Sequence, residues 1–305
     1  EARHQALAAE VNAALKDRGV LIIPAFAVER TQELLADLVE LVNSGRVPQV
    51  PIFLDSPLAI RVTQVFLDHA NELENGDEFR RAMRTPLLRT TETAAESMRI
   101  ERIEGSHIII AASGMCDAGR IRHHLKNHLW RPNSTVMLVG FQAKGTLGQI
   151  LADGAKAVRI QGEEVKVRAR IRQLDIYSGH ADGPALIRWI EERERVKRAI
   201  LLVHGEDEEM GAMHEKLVAL GLDGERVIEP ALDDVFDLMV EAPGPRLRPG
   251  PRRLRPEMVG HLDWHNDLSK LWLDVSEQLD KAADDRARNV IIRRLHRALE
   301  KAGEE

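Results

Sequence analysis

GVLIIPAF, residues 19–26, is an apolar run with three β-branched side chains, and it reads as a buried strand. HIIIAA, residues 107–112, has the same character and reads as another. A helix over roughly Gln5 to Arg18 precedes the first. The next helix covers Thr31 to Val42, where Leu34, Leu35, Leu38, Leu41 and Val42 recur at helical spacing. Val50 to Leu54 is a further strand. Ser56 followed by Pro57 marks a helix start, an N-cap and a first-turn proline, for a helix running to His69. Ile121 to Leu129 is the helix after the HIIIAA strand. Strands that are apolar along their whole length and alternate with helices imply βαβ units. The expected fold is α/β, with a largely parallel sheet covered by helices on both faces.

The pattern changes near residues 130–135. Val136 to Val139 is a strand, and Val165 to Ile176 alternates with Val165, Val167, Ala169 and Ile171 on one face. That stretch reads as one half-exposed strand, suited to an antiparallel or mixed sheet. Ala199 to Val203 is a short buried strand. Gly244 to Pro256 is rich in proline and arginine and reads as an extended linker, either a basic arm for a phosphate backbone or a solvated tether. Two amphipathic helices follow, over Asp267 to Leu279 and Arg286 to Leu299. The expected division is residues 1–131, 132–243, a linker at 244–256 and a helical extension at 257–305.

Composition excludes several classes. The chain has 305 residues, 43 Lys and Arg against 49 Asp and Glu, for a net charge of −6. No global basic field advertises nucleic-acid binding, which leaves only a local groove for it. Aromatic residues make up 4%, so rings for base stacking are few. Cys116 is the one cysteine, which excludes an internal disulfide framework and a cysteine zinc cluster and fits a reducing compartment, the cytoplasm. No apolar run approaches the ~18 residues that span a bilayer, and no signal-peptide pattern opens the chain, so no membrane role is expected. The first residue is Glu1, which raises the expectation of a processed product or a fragment.

The twelve histidines are the raw material for chemistry. His123, His124 and His128 share a helix, and an i, i+4 pair can chelate zinc, but Leu125 stands where the metalloprotease pattern needs Glu. A surface or interface face is the better reading. His261, Asp263, His265 and Asp267 look like a metal cluster, yet on a helix the two histidines face one way and Asp263 another. His180 (Tyr177-Ser178-Gly179-His180-Ala181-Asp182) follows a strand and precedes a helix at Pro184 to Glu192. His204 (Leu202-Val203-His204-Gly205-Glu206) closes a buried strand. Strand ends of this kind gather ligands in α/β folds. Ser113-Gly114-Met115 follows the HIIIAA strand, with Arg120 in the next helix. Small residues there let backbone N–H groups reach an anion, although a plain strand-to-helix turn explains them equally. Gln142 to Gly148 (QAKGTLG) is a similar turn. Neither is a Walker motif nor GxGxxG, so a nucleotide-cofactor enzyme has little support.

Taken in order, these motifs form a set: Ile23-Pro24-Ala25-Phe26-Ala27-Val28, Leu54-Asp55-Ser56-Pro57-Leu58-Ala59, Ala112 to Cys116, Gly119-Arg120, Gln142 to Gly148, Ser178 to Asp182 and Leu202 to Glu206. The chain resembles the β-CASP group of metallo-β-lactamase-fold RNA nucleases over roughly residues 5 to 240. The resemblance implies a Rossmann-like β-CASP domain, then the C-terminal half of a metallo-β-lactamase αββα sandwich and RNA-specificity region. It implies RNA as partner and two zinc ions as cofactor in the complete site. His204 matches the family's late zinc ligand. His180 matches the histidine at the scissile phosphate that assists proton transfer. Ser113, Gly114 and Met115 match the loop near the RNA phosphate, with Arg120 beside it.

The family's principal zinc ligands lie in a His-x-His-x-Asp-His motif, and no His-x-His occurs in this chain. Glu29 stands where the family usually has glycine. The expected function is therefore the C-terminal portion of a zinc-dependent RNA hydrolase, inactive alone and partnered by the missing N-terminal catalytic half. The alternative is a non-catalytic RNA-binding or scaffold module. Loss of a covering half would bare apolar surface and strand edges, which leads to an expectation of self-association into a homo-oligomer.

Overall fold

The computed structural model describes residues 1–193, 199–231, 234–236, 246–247, 275, 278–279 and 281–302. The chain divides into two compact units, Glu1–Ser178 with Leu262–Glu305, and Gly179–His261.

In the first unit the order is α1 (Ala2–Ala14), β1 (Val20–Pro24), α2 (Arg30–Asn43), β2 (Ile52–Leu54), α3 (Pro57–Asp68), α4 (Gly76–Met83), β3 (Leu88–Thr90), α5 (Ala94–Ile100), β4 (His107–Ala111), α6 (Ile121–His128), β5 (Ser134–Leu138), α7 (Leu147–Ala152), β6 (Ala157–Ile160), β7 (Glu163–Lys166) and β8 (Arg170–Gln173). Six strands form one parallel sheet in the order β3-β2-β4-β1-β5-β8. Its centre is the pair read first from the sequence. Val20 lies opposite His107 and Pro24 opposite Ala111, and every residue of β1 and β4 is buried.

Alternation along these strands makes two cores. Leu21 and Ile23 of β1, with Ile108 and Ile110 of β4, pack against Leu7 and Val11 of α1 and Leu34 and Leu38 of α2. Ile22 and Ile109 face the other way, onto Ile121 and Leu125 of α6 and Ile150 of α7. Burial on both faces is why these strands read as continuous apolar runs. Helix α3 starts as expected, with the Ser56 hydroxyl accepting from the Ala59 N–H at 3.3 Å and Pro57 in the first turn.

The sheet does not stop at the change of pattern near residues 130–135, because β5 and β8 both join it. The single strand expected over Val165 to Ile176 is two. β7 pairs antiparallel with β6, and β8 pairs parallel with β5. The chain breaks between them because the N–H groups of Arg168 and Ala169 both donate to the Leu129 carbonyl, at 2.7 and 2.8 Å. The expected inward face survives the break, with Val165 and Ala169 buried.

The second unit contains α8 (Gly183–Glu191), β9 (Ile200–Leu201), α9 (Asp207–Ala219), β10 (Val227–Ile228), β11 (Val235–Phe236) and β12 (Arg246–Leu247). β9 and β10 pair parallel; β11 and β12 pair antiparallel. Within the expected linker, Arg246–Leu247 is therefore strand, and its remaining residues lie outside those described. The helix expected from Arg286 is α10 (Asp285–Ala302). Most of the helix expected over Asp267 to Leu279 lies outside the described residues, as does the whole His261 to Asp267 cluster.

Candidate functional site

Three loops meet at the carboxyl ends of adjacent strands β4, β1 and β5. The segment after β1 leads to α2, in one core, while those after β4 and β5 lead to α6 and α7, in the other. Strand ends where connections diverge in this way are the usual ligand-binding place in α/β sheets. The loops are tied together. Ala25 N–H donates to the Ala111 carbonyl at 3.1 Å, and the Thr31 hydroxyl to the Phe26 carbonyl at 2.7 Å.

Ser113, Gly114 and Met115 lie together in the loop after β4. The Ser113 N–H donates to Ala118 O at 3.1 Å and Cys116 N–H to Ser113 O at 3.1 Å. Gly119 closes the turn at φ +76°, and a Cβ there would stand 2.4 Å from the Ala112 oxygen. The Gln142 amide donates to Gly114 O at 3.1 Å and to Gly140 O at 2.9 Å, while Gly148 N–H donates to Met115 O at 3.0 Å. Asp117 accepts from the Leu147 N–H at 2.9 Å, opening α7, and burial pushes its carboxyl up. Gln142 to Gly148 is thus the brace of the Ser113 loop. The sequence marked that turn without assigning Gln142 a role; a buried amide between two glycine-bearing loops was its only signal.

Arg120 points inward. Its Nη1 donates to Asp55 at 2.6 Å and to the Thr91 carbonyl at 2.9 Å, and its Nη2 to the Glu92 carbonyl at 2.6 Å. Asp55 is fully buried and also accepts from Thr91 and Ser97 at 2.5 Å each and bonds His124 at 2.6 Å. Burial alone would raise this carboxyl. Hydrogen bonds from His124, Ser97, Thr91 and Arg120 outweigh it and hold the group well below the usual carboxylate range. The surface face expected for the α6 histidines is corrected here. His124 and His128 are buried, and His123 pairs with Glu101 at 2.5 Å.

His180 and His204 belong to the second unit. His180 is exposed, just before α8, whose N-cap Asp182 accepts from Ala185 N–H at 2.8 Å. His204 is exposed in the turn after β9, at φ +64°. Left-handed backbone is uncommon outside glycine, and such residues cluster at functional sites. Among the described residues no three His, Cys, Asp or Glu side chains converge to hold a metal ion. Zinc sites take three or four protein ligands, so this donor set does not fit a zinc ion by itself.

Comparison with known proteins decides the family. A model of the Beta-Casp domain matches residues 31–151, and one of the Zn-dependent metallo-hydrolase RNA specificity domain matches residues 164–228. The chain belongs to the β-CASP family of metallo-β-lactamase-fold nucleases. Ribonuclease TTHA0252 of Thermus thermophilus is 39% identical over 215 residues, covering 68% of this chain and 47% of that protein. An RNase J-like protein of Methanocaldococcus jannaschii is 31% identical over 197 residues, 65% of this chain and 45% of that one. Transcription termination factor FttA of Methanosarcina mazei is 27% identical over 202 residues, 62% and 31%. The matched stretch is thus less than half of each relative. The RNA specificity match contains both His180 and His204, and the Beta-Casp match contains the Ser113 loop and its Gln142 brace. No helix among the described residues is long and apolar enough to cross a membrane.

Proposed function

We propose that this chain is the C-terminal portion of a zinc-dependent hydrolase of RNA phosphodiester bonds, and that alone it does not cleave RNA. The observation that carries the reading is the braced Ser113-Gly114-Met115 loop at the carboxyl end of β4. The Gly114 and Met115 carbonyls are held by Gln142 and Gly148, and among the described residues neither N–H has an acceptor. Such N–H groups and the Ser113 hydroxyl suit a phosphate oxygen. Arg120 sits at the entry of the following helix and fixes it through Asp55. His180 would hold the scissile phosphate and donate a proton to the departing oxygen. His204 would give one ligand to the metal site. The other ligands must come from residues beyond those described, in the catalytic half that completes the family site. The ribonuclease and RNase J-like relatives support RNA as the substrate.

The test is the zinc-to-protein ratio of the dialysed chain by elemental mass spectrometry, with ribonuclease activity measured beside it and His204→Ala as the control. The expected result is a ratio well below one and no cleavage. Robust cleavage that His204→Ala abolishes would overturn the inactive-alone reading. That no ligand set converges among the described residues also favours a second reading, a non-catalytic RNA-binding or scaffold module. Adding a polypeptide that carries His-x-His-x-Asp-His separates the two. Restored cleavage supports the hydrolase portion, and RNA binding without cleavage supports the module.

A further inference from the structure

Phe26 and Phe141 are large apolar side chains left exposed, 45% and 59%, in a chain with few aromatics. Both stand at the carboxyl ends of the sheet's strands, Phe26 on the loop after β1 and Phe141 on the loop after β5, and both loops touch the Ser113 loop after β4. Phe26 is held firmly. Its carbonyl accepts from Thr31, and its ring lies against Gly114, where a Cβ would come 2.9 Å from Phe26 Cδ2 and 3.0 Å from Cε2. Glycine at 114 therefore lets the ring pack on backbone, while about half of the side chain remains open. The Phe141 loop is tied to the same place, since the Gln142 amide bridges the carbonyls of Gly114 and Gly140. A half-open aromatic ring beside a phosphate-binding loop has the chemistry of a base-stacking platform, which serves any base because every base has a π-face.

We propose that Phe26 and Phe141 form a nucleobase-stacking site for single-stranded RNA, with Phe26 the principal platform. A nucleotide bound there would set its phosphate on the Ser113-Gly114-Met115 loop and its unstacked base on the ring. This deepens the RNA reading and rests on it. Paired RNA keeps its bases stacked on one another, so the site selects unpaired segments.

The experiment is fluorescence anisotropy with a short labelled single-stranded RNA and an abasic oligomer of equal phosphate count. Wild type, Phe26→Leu, Phe26→Tyr and Phe141→Leu are compared, with thermal melts as the folding control. Phe26→Leu keeps an apolar contact on Gly114 and removes the ring; it should weaken RNA binding by about tenfold. Phe26→Tyr should restore it, Phe141→Leu should weaken it by less, and the abasic oligomer should bind all four proteins alike. Unchanged RNA affinity in Phe26→Leu would overturn the stacking site while leaving RNA binding intact. Equal losses on both oligomers would also overturn it. A wild-type chain that binds neither oligomer would overturn the RNA reading itself, and the stacking site with it.

Discussion

Glu29 occupies backbone that suits glycine. Its φ and ψ are 65° and −61°, and the Arg30 N–H donates back to the Val28 carbonyl at 2.8 Å, a γ-turn of the strained, positive-φ kind. The turn reverses the chain from β1 into α2 and fixes where Phe26 stands. The resemblance places glycine at this position in the family; here Glu29 itself holds a positive φ. Strain of this sort costs about 1–3 kcal/mol, and glycine returns part of that through its freer unfolded chain. Glu29→Gly is thus expected to raise stability by about 1 kcal/mol. The urea midpoint would move up at an unchanged slope. A lower midpoint would mean that the Glu29 side chain contributes more than the strain removes. Asp55 teaches the opposite lesson about legibility. Its partners Arg120 and His124 lie 65 and 69 residues away, so nothing local marks it as the hub it is.

Elements were legible where burial on both faces writes a continuous apolar run, as in β1 and β4. β3 escaped because it is an edge strand, half-buried at Leu88 and exposed at Arg89 and Thr90. Helix α6 shows why a face can be read and its direction missed. The i, i+4 spacing of His124 and His128 marks one side of the helix, but only the neighbouring Ile121 and Leu125 in the core say that this side points inward. Burial, with Arg131 and the nearby histidines, pushes His128 down to about 3, and burial lowers His107 as well. The unfolded chain takes up a proton on such a group below about pH 6.5, whereas the folded chain does not until far lower. Stability is therefore complete above that pH and falls on acidification, by up to about 1.4 kcal/mol per pH unit for one histidine. The Asp55 carboxyl begins to contribute its own loss only below its unfolded value near 3.8. Between pH 6.5 and 4.5 the loss comes from His128 and His107, opposed toward the acid end by the raised Asp117 carboxyl, which takes up its proton first in the folded chain. His128→Leu is expected to flatten the slope in pH-dependent urea titrations, and an unchanged slope would assign the acid sensitivity elsewhere.

At the scale of the molecule the two units are unequal. The sequence placed a change near residues 130–135, where the strands lose their all-apolar character, yet the parallel sheet runs on to β8 and the compact units part at Ser178. Periodicity reports how exposed a strand is, not which sheet it joins, so the two kinds of boundary need not agree. The first unit buries two full cores. Among the described residues of the second, Leu217 and Val227 are the buried apolar side chains. Helix α8 is amphipathic yet buries nothing, with Trp189 at 55% exposure, Leu186 at 42% and Val203 beyond it at 69%. Apolar surface of that extent is removed from water by association. The isolated chain is expected to self-associate with rising concentration, seen as an increasing mass in sedimentation equilibrium. Leu186→Gln with Trp189→Gln should shift that equilibrium toward monomer by about thirtyfold or more, since two side chains that contribute roughly 1–2 kcal/mol each at an interface amount to at least about 2 kcal/mol. A chain that stays monomeric at every concentration and unfolds in one cooperative step would show that the second unit is stable with its apolar helix bare.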